Sequence, residues 1–172
     1  LSDSSWPGYV ELPHRLMEGY VVMAAEVARQ MPAPPTHILL QAGVGGLAGA
    51  AAAYFRSVWG DAPRIIVVEP EAAPALHACI GAGKFVSTSG PVSNMGRLDC
   101  KEASLIALKG LARDADDFAL ISEDEANAAL PGLTAMGLST SQSGGAGLAA
   151  LAHLGLGADA RVLCILSEGP DA

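Results

Sequence analysis

The chain is short of charge and of aromatic rings. Of its 172 residues 16% are charged and 5% aromatic, against 51% hydrophobic, a balance that excludes a disordered, self-repelling chain. Positive charge is scarcest: ten lysines and arginines face 18 acids, for a formal net charge of −8. A nucleic-acid partner needs clustered Lys and Arg against its phosphates, so none is expected. No apolar run approaches the roughly 20 residues of a spanning helix, so no membrane role is expected either. Cysteine is rare, and Cys79, Cys100 and Cys164 lack any Cys-x-x-Cys spacing. That pattern suits a reduced, cytoplasmic chain better than a disulfide scaffold. The histidines (His14, His37, His77 and His153) lie apart with no metal-ligand spacing. No G-x-S-x-G elbow is present, which leaves hydrolase readings weak. The start at Leu1-Ser2-Asp3 and the stop at Pro170-Asp171-Ala172 suggest a fragment of a longer protein, with no signal peptide visible.

What the chain has instead is glycine, 20 residues of it, in telling places. The apolar run His37-Ile38-Leu39-Leu40 leads through Gln41-Ala42 into Gly43-Val44-Gly45-Gly46, and an alanine-rich helical segment starts at Leu47. A strand that feeds a helix through glycines converges several free N–H groups on one point, where the helix dipole favours negative charge. Glycine lets a phosphate touch that main chain. A turn that merely packs a helix closely on a strand has the same pattern, since lone glycine signatures are weak.

The rest reads as α/β, a parallel twisted sheet with helices on both faces in a single domain over residues 1–172. Pro13 suits a first helical position, and Leu16, Tyr20, Met23, Ala24, Val27 and Met31 follow at helical spacing. Helix 47–59 stops at Gly60, strand 64–70 follows, and a helix is expected from Glu71 to Ile80. Residues 81–99 read as a long, potentially functional loop with room for one short strand. A helix over about 103–113, a strand at 118–121 and a capped helix from Ser122, with Glu125 three residues on, come next. Ser143-Gly144-Gly145-Ala146-Gly147 is expected to precede a helix over 148–154, and the last strand is expected at 161–166.

Two ligand readings fit this frame. Gly43-Val44-Gly45-Gly46-Leu47-Ala48 matches G-x-G-x-x-A, with Glu69 near where a dinucleotide's ribose would be held. Against a nicotinamide-binding Rossmann domain, the glycines are crowded, which suits a cup around one terminal phosphate. Ligands sit beyond the carboxyl ends of parallel strands. Gly43 to Gly46, Glu69 and Ser167 all fall at such ends, although Glu69 and Ser167 could equally just end a strand and turn the chain.

Three segments in order resemble fold-type-II pyridoxal-phosphate (PLP) enzymes, the threonine dehydratase and tryptophan synthase β group: Gln41–Leu47, Val67-Val68-Glu69-Pro70 and Leu166-Ser167-Glu168-Gly169. Within that group three stretches resemble the diaminopropionate ammonia-lyases: Trp6–Tyr9 with Met17–Tyr20, Met95–Cys100, and Ser143–Gly147. The resemblance implies pyridoxal 5'-phosphate as cofactor. Main-chain donors at Gly43, Val44, Gly45, Gly46 and Leu47 would hold its phosphate, and Ser167 would face its pyridine nitrogen. It further implies elimination on 2,3-diaminopropionate, a small amino-acid substrate, to pyruvate and ammonia, in an enzyme of the homodimeric type. A threonine or serine dehydratase is the neighbouring alternative. A neutral hydroxyl opposite the ring nitrogen leaves that nitrogen largely unprotonated, which suits elimination over transamination. The family's Schiff-base lysine and a second-base aspartate belong to an amino-terminal half that nothing here matches, so the lysine is expected upstream of Leu1. Lys84, Lys101 and Lys109 read as solvated, and the chain alone is expected to be inactive.

Overall fold

The computed structural model describes residues 2–152 and 154–170. Leu1, His153, Asp171 and Ala172, named above, lie outside them. Four strands form one parallel sheet: β1 (His37–Gln41), β2 (Arg64–Pro70), β3 (Asp117–Ile121) and β4 (Val162–Cys164), in the order β3-β2-β1-β4. Alternate residues of the strands serve two cores. Ile38, Leu40, Ile65 and Val67 face one with α1 (Glu11–Gln30), α2 (Gly46–Trp59), α3 (Ala75–Ala82) and α4 (Leu105–Asp114). Leu39, Ile66, Val68 and Ile121 face the other, with α5 (Glu123–Ala135) and α6 (Gln142–Ala149). A sheet apolar on both faces and covered on both by helices is what parallel pairing requires.

Four differences from the sequence reading exceed a residue or two or change an element's place, and each has a physical reason. α1 begins at Glu11 and not at Pro13. Proline sits third, still within the first turn, where its missing N–H costs no helical bond. α3 begins at Ala75 and not at Glu71, because the residue before Pro74 is pushed out of helical conformation. Ser143–Gly147 does not precede a helix but forms one, with Ser141 as its N-cap accepting the Gly144 N–H at 3.0 Å. Close packing outweighs the poor helix propensity of glycine there. A Cβ on Gly147 would lie 3.2 Å from Gln41 Oε1 and 3.4 Å from the Leu39 carbonyl. The last strand spans 162–164 and not 161–166, since its ladder with β1 covers only His37 to Leu39. Among the described residues, 81–99 hold no strand.

The 84–104 loop is nevertheless ordered by specific bonds. Lys101 Nζ donates to the Ala72 carbonyl at 2.7 Å, the Pro91 carbonyl at 2.9 Å and Asp99 Oδ1 at 2.5 Å. The reading of Lys101 as solvated is thereby corrected, because its ammonium is the clip that closes this loop. Lys84 and Lys109 are exposed.

Candidate active site

The carboxyl end of β1, the amino end of α2, the 95–100 stretch and the segment after β4 enclose a cavity of about 560 Å³. Gly43, Val44, Gly45, Gly46, Leu47 and Ser167, the six residues singled out in the sequence, all line it. Gly45 is the N-cap of α2 with φ +99°, a left-handed conformation that disfavours side chains. Its missing Cβ would also come within 2.9 Å of Leu76 Cδ1. A Cβ on Gly43 would lie 2.9 Å from the Arg97 carbonyl and 3.0 Å from Cys100 Sγ. The glycines thus bring the backbone close to its neighbours and put no side chain of their own into the turn.

The turn already has an acidic side chain in it. Asp3 lines the cavity, and its carboxyl lies so close over Gly46 that a Cβ there would collide with it. Burial pushes the Asp3 carboxyl above its ordinary value, although the main chain at Asp3 and Gly46 pulls the other way. An anion at a helix amino terminus is what converging N–H groups and the helix dipole select. The glycine turn has the geometry of an anion cup as well as that of a packing device. Asp3 was missed in the sequence because a lone acid in a polar leader carries no spacing signal. Tyr20 of α1 also lines the cavity; burial first, and the Asp3 charge second, raise its phenol pKa. Burial likewise raises the Cys100 thiol, keeping a neutral sulfur beside the cup.

Ser167 is held by what surrounds it. Gln41, the last residue of β1, is buried, and its Nε2 donates to Ser167 Oγ at 3.1 Å, the Ile165 carbonyl at 2.8 Å and the Gly144 carbonyl at 3.1 Å. Next to Ser167, Glu168 accepts from Ser141 Oγ and pairs with Arg97 Nε at 3.3 Å, while Thr140 Oγ1 donates to its carbonyl at 2.7 Å. The 95–100 stretch and α6, two of the segments that resembled the lyases, meet at this residue.

Glu69 stands elsewhere. Fully buried, it accepts the N–H groups of Leu76 and His77, both at 2.7 Å, and so caps α3. Burial pushes its carboxyl up to about 7. It does not line the cavity, which removes the acid that a ribose-binding Rossmann site needs. None of Lys84, Lys101 and Lys109 lines the cavity, and Lys84 and Lys109 flank a separate groove.

A glycine turn at a helix start and a neutral hydroxyl at a strand end thus share one cavity on an α/β sheet. Residues 6–168 match the model of the pyridoxal-phosphate dependent enzymes, and the chain belongs to that family. Diaminopropionate ammonia-lyase of Escherichia coli K12 is 32% identical over 195 residues, covering 98% of this chain and 48% of its own length. Human L-serine dehydratase/L-threonine deaminase is 32% identical over 129 residues, covering 72% of this chain and 39% of its own. The crystal structure of the Escherichia coli lyase with an aminoacrylate–PLP azomethine reaction intermediate superposes with a TM-score of 0.85, at 32% identity, over 97% of this chain and 48% of that one. The chain spans about half the length of the lyases it matches.

Proposed function

We propose that this chain supplies the phosphate cup and the ring-nitrogen contact of a PLP-dependent ammonia-lyase that converts 2,3-diaminopropionate to pyruvate and ammonia. The carrying observation is the glycine turn at the amino end of α2, with the Asp3 carboxyl close over Gly46, in one cavity with the Ser167 hydroxyl. The residues fit the cofactor. Backbone N–H groups of Gly43, Val44, Gly45, Gly46 and Leu47 would hold its phosphate, and Ser167 would meet its pyridine nitrogen. Bound there, PLP supplies a conjugated electron sink that acidifies the α-carbon of an amino acid.

A phosphate held by the Gly46 N–H would take the place of the Asp3 carboxyl over that glycine and leave a carboxyl with a raised pKa in the substrate's cavity. Asp3 is then placed to accept a proton, with Tyr20 beside it as a hydrogen-bonding group of high pKa. Arg97 is tethered to Glu168 at the cavity wall and offers a cation for a substrate carboxylate. The imine-forming lysine is expected outside this chain, which supports reading the 172 residues as inactive alone. Similarity to the lyases along nearly the whole chain supports diaminopropionate as substrate. A serine or threonine dehydratase is the second reading, favoured by the shorter match to the human dehydratase. The three free cysteines support a reducing, cytoplasmic setting, and homodimerisation follows the pattern of the resembled group.

Asp3→Asn in the full-length protein tests the assignment. The variant is expected to keep bound PLP and to lose elimination by on the order of 10²- to 10⁴-fold, the usual contribution of a positioned acid–base group. Unchanged pyruvate release would remove Asp3 from the chemistry. Loss of cofactor instead of turnover would make it a structural anchor.

A further inference from the structure

Ser104 stands at the N-cap position of α4, yet its own hydroxyl makes no capping bond among the described residues. The cap comes from 99 positions earlier. The Ser5 carbonyl accepts the Leu105 N–H at 3.1 Å, and Ser5 Oγ accepts the Ile106 N–H at 2.9 Å. Two of the orphan donors at the start of α4 are thereby satisfied by the leader. Ser5 Oγ and Ser104 Oγ also lie 2.7 Å apart, and both serines are buried.

The Ser104 N–H in turn donates to the Val44 carbonyl at 2.9 Å, so the start of α4 ties the leader to the glycine turn. Asp3 lies two residues before Ser5, with its carboxyl close over Gly46. A two-residue link spans at most about 7 Å, which bounds how far Asp3 can move from the Ser5 anchor. That bound matters once a phosphate occupies the turn. Phosphate and an ionised carboxyl repel, and an unanchored leader would withdraw into solvent. An anchored one keeps the carboxyl in the cavity.

We propose that Ser5, by capping α4 from across the chain, is a positioning residue that keeps the Asp3 carboxyl in the cavity as a proton acceptor for the elimination. The proposal rests on the reading of Asp3 given above. Tyr20 of α1 and Cys100 beside the turn feel the Asp3 charge, and Arg97 and Glu168 are the other ionisable groups that line the cavity. None of them lies on the leader. The place of Asp3 relative to all four is therefore set by Ser5 and the start of α4.

The test is a cycle of Ser5→Ala, Asp3→Asn and the double variant in the PLP-loaded full-length protein, with amide hydrogen exchange as a second readout. Ser5→Ala is expected to speed exchange at Ile106, whose N–H loses its acceptor, and to lower kcat on the order of 10- to 100-fold. With the leader loose, water reaches the Asp3 carboxyl and relieves the burial that raises its pKa. The acidic limb of the kcat–pH profile is therefore expected to move to lower pH, which a plain loss of folded enzyme would not cause. In the Asp3→Asn background Ser5→Ala is expected to cost nothing further, because its effect passes through that carboxyl. Unchanged exchange at Ile106 would overturn the cap itself. An unmoved limb, or an equal loss in both backgrounds, would overturn the proposal and leave Ser5 a helix cap alone. Should Ser5→Ala fail to fold, Ser104→Ala, which removes only the hydroxyl pair, enters the same cycle and is judged by the limb and by the two backgrounds. Full activity in Asp3→Asn would instead overturn the reading of Asp3, which separates the two failures.

Discussion

Gly45 answers two demands at once. It starts α2 from a left-handed φ of +99°, and it leaves no room for a side chain against Leu76. A non-glycine residue held at such a backbone conformation costs about 1–3 kcal/mol. Gly45→Val is expected to release PLP from the full-length protein, read as loss of cofactor absorbance after gel filtration. Full retention would contradict the phosphate cup. The strand–glycine–helix turn was legible in the sequence because its three parts are adjacent. Asp3 and Gln41 were not legible as cavity residues. Asp3 meets a turn more than 40 positions on, and the Gln41 amide is held by carbonyls more than 100 positions away.

At the scale of elements, the amino end of α3 shows how burial can override a plain sequence reading. Glu69 read as either a ribose ligand or a solvated strand end; it is a buried helix cap. Two backbone N–H bonds favour its ionised form, but desolvation outweighs them and lifts the carboxyl from its ordinary 4.5 to about 7. A folded-state pKa above the unfolded one means that the native protein binds the extra proton. The stabilisation from Glu69 is thus full below about pH 4.5 and is lost as pH rises through about 7. At roughly 1.4 kcal/mol per pKa unit, the loss is on the order of 3 kcal/mol. Glu69→Gln keeps an acceptor for one N–H and removes the titration. Urea unfolding across this pH range should show the unaltered protein losing stability relative to the variant as pH rises. Parallel curves would mean that Glu69 is already ionised at pH 5. α6 carries a related lesson. Its glycines looked like a loop because propensity is a local quantity, whereas their use is the close approach of α6 to β1 and to the segment around Glu168. β1, β2, β3 and α2, whose apolar runs are continuous, were legible; the start of α3 follows the local rule for a residue before proline, whereas the helical use of 142–149 and the short β4 required the three-dimensional neighbours.

Across the whole molecule, the parallel order β3-β2-β1-β4 puts the ends of β1 and β4 side by side, and the cup and Ser167 fall there by topology. No helix among the described residues is long and apolar enough to cross a membrane. The cavity has a glycine turn, a hydroxyl, a carboxyl and an arginine, but no lysine among its lining residues. The chain spans about half the length of the lyases it matches, and the proposal places the imine-forming lysine outside these 172 residues.

The most direct measurement is pyruvate or keto-acid release from 2,3-diaminopropionate, serine and threonine, side by side, by the PLP-loaded full-length protein, with the 172-residue chain as control. Preference for diaminopropionate, with no turnover by the 172-residue chain, is the predicted result. Preference for serine or threonine would move the enzyme to the dehydratases. Turnover by the 172-residue chain itself would mean that Lys84, Lys101 or Lys109 forms the imine, contradicting this account of the site.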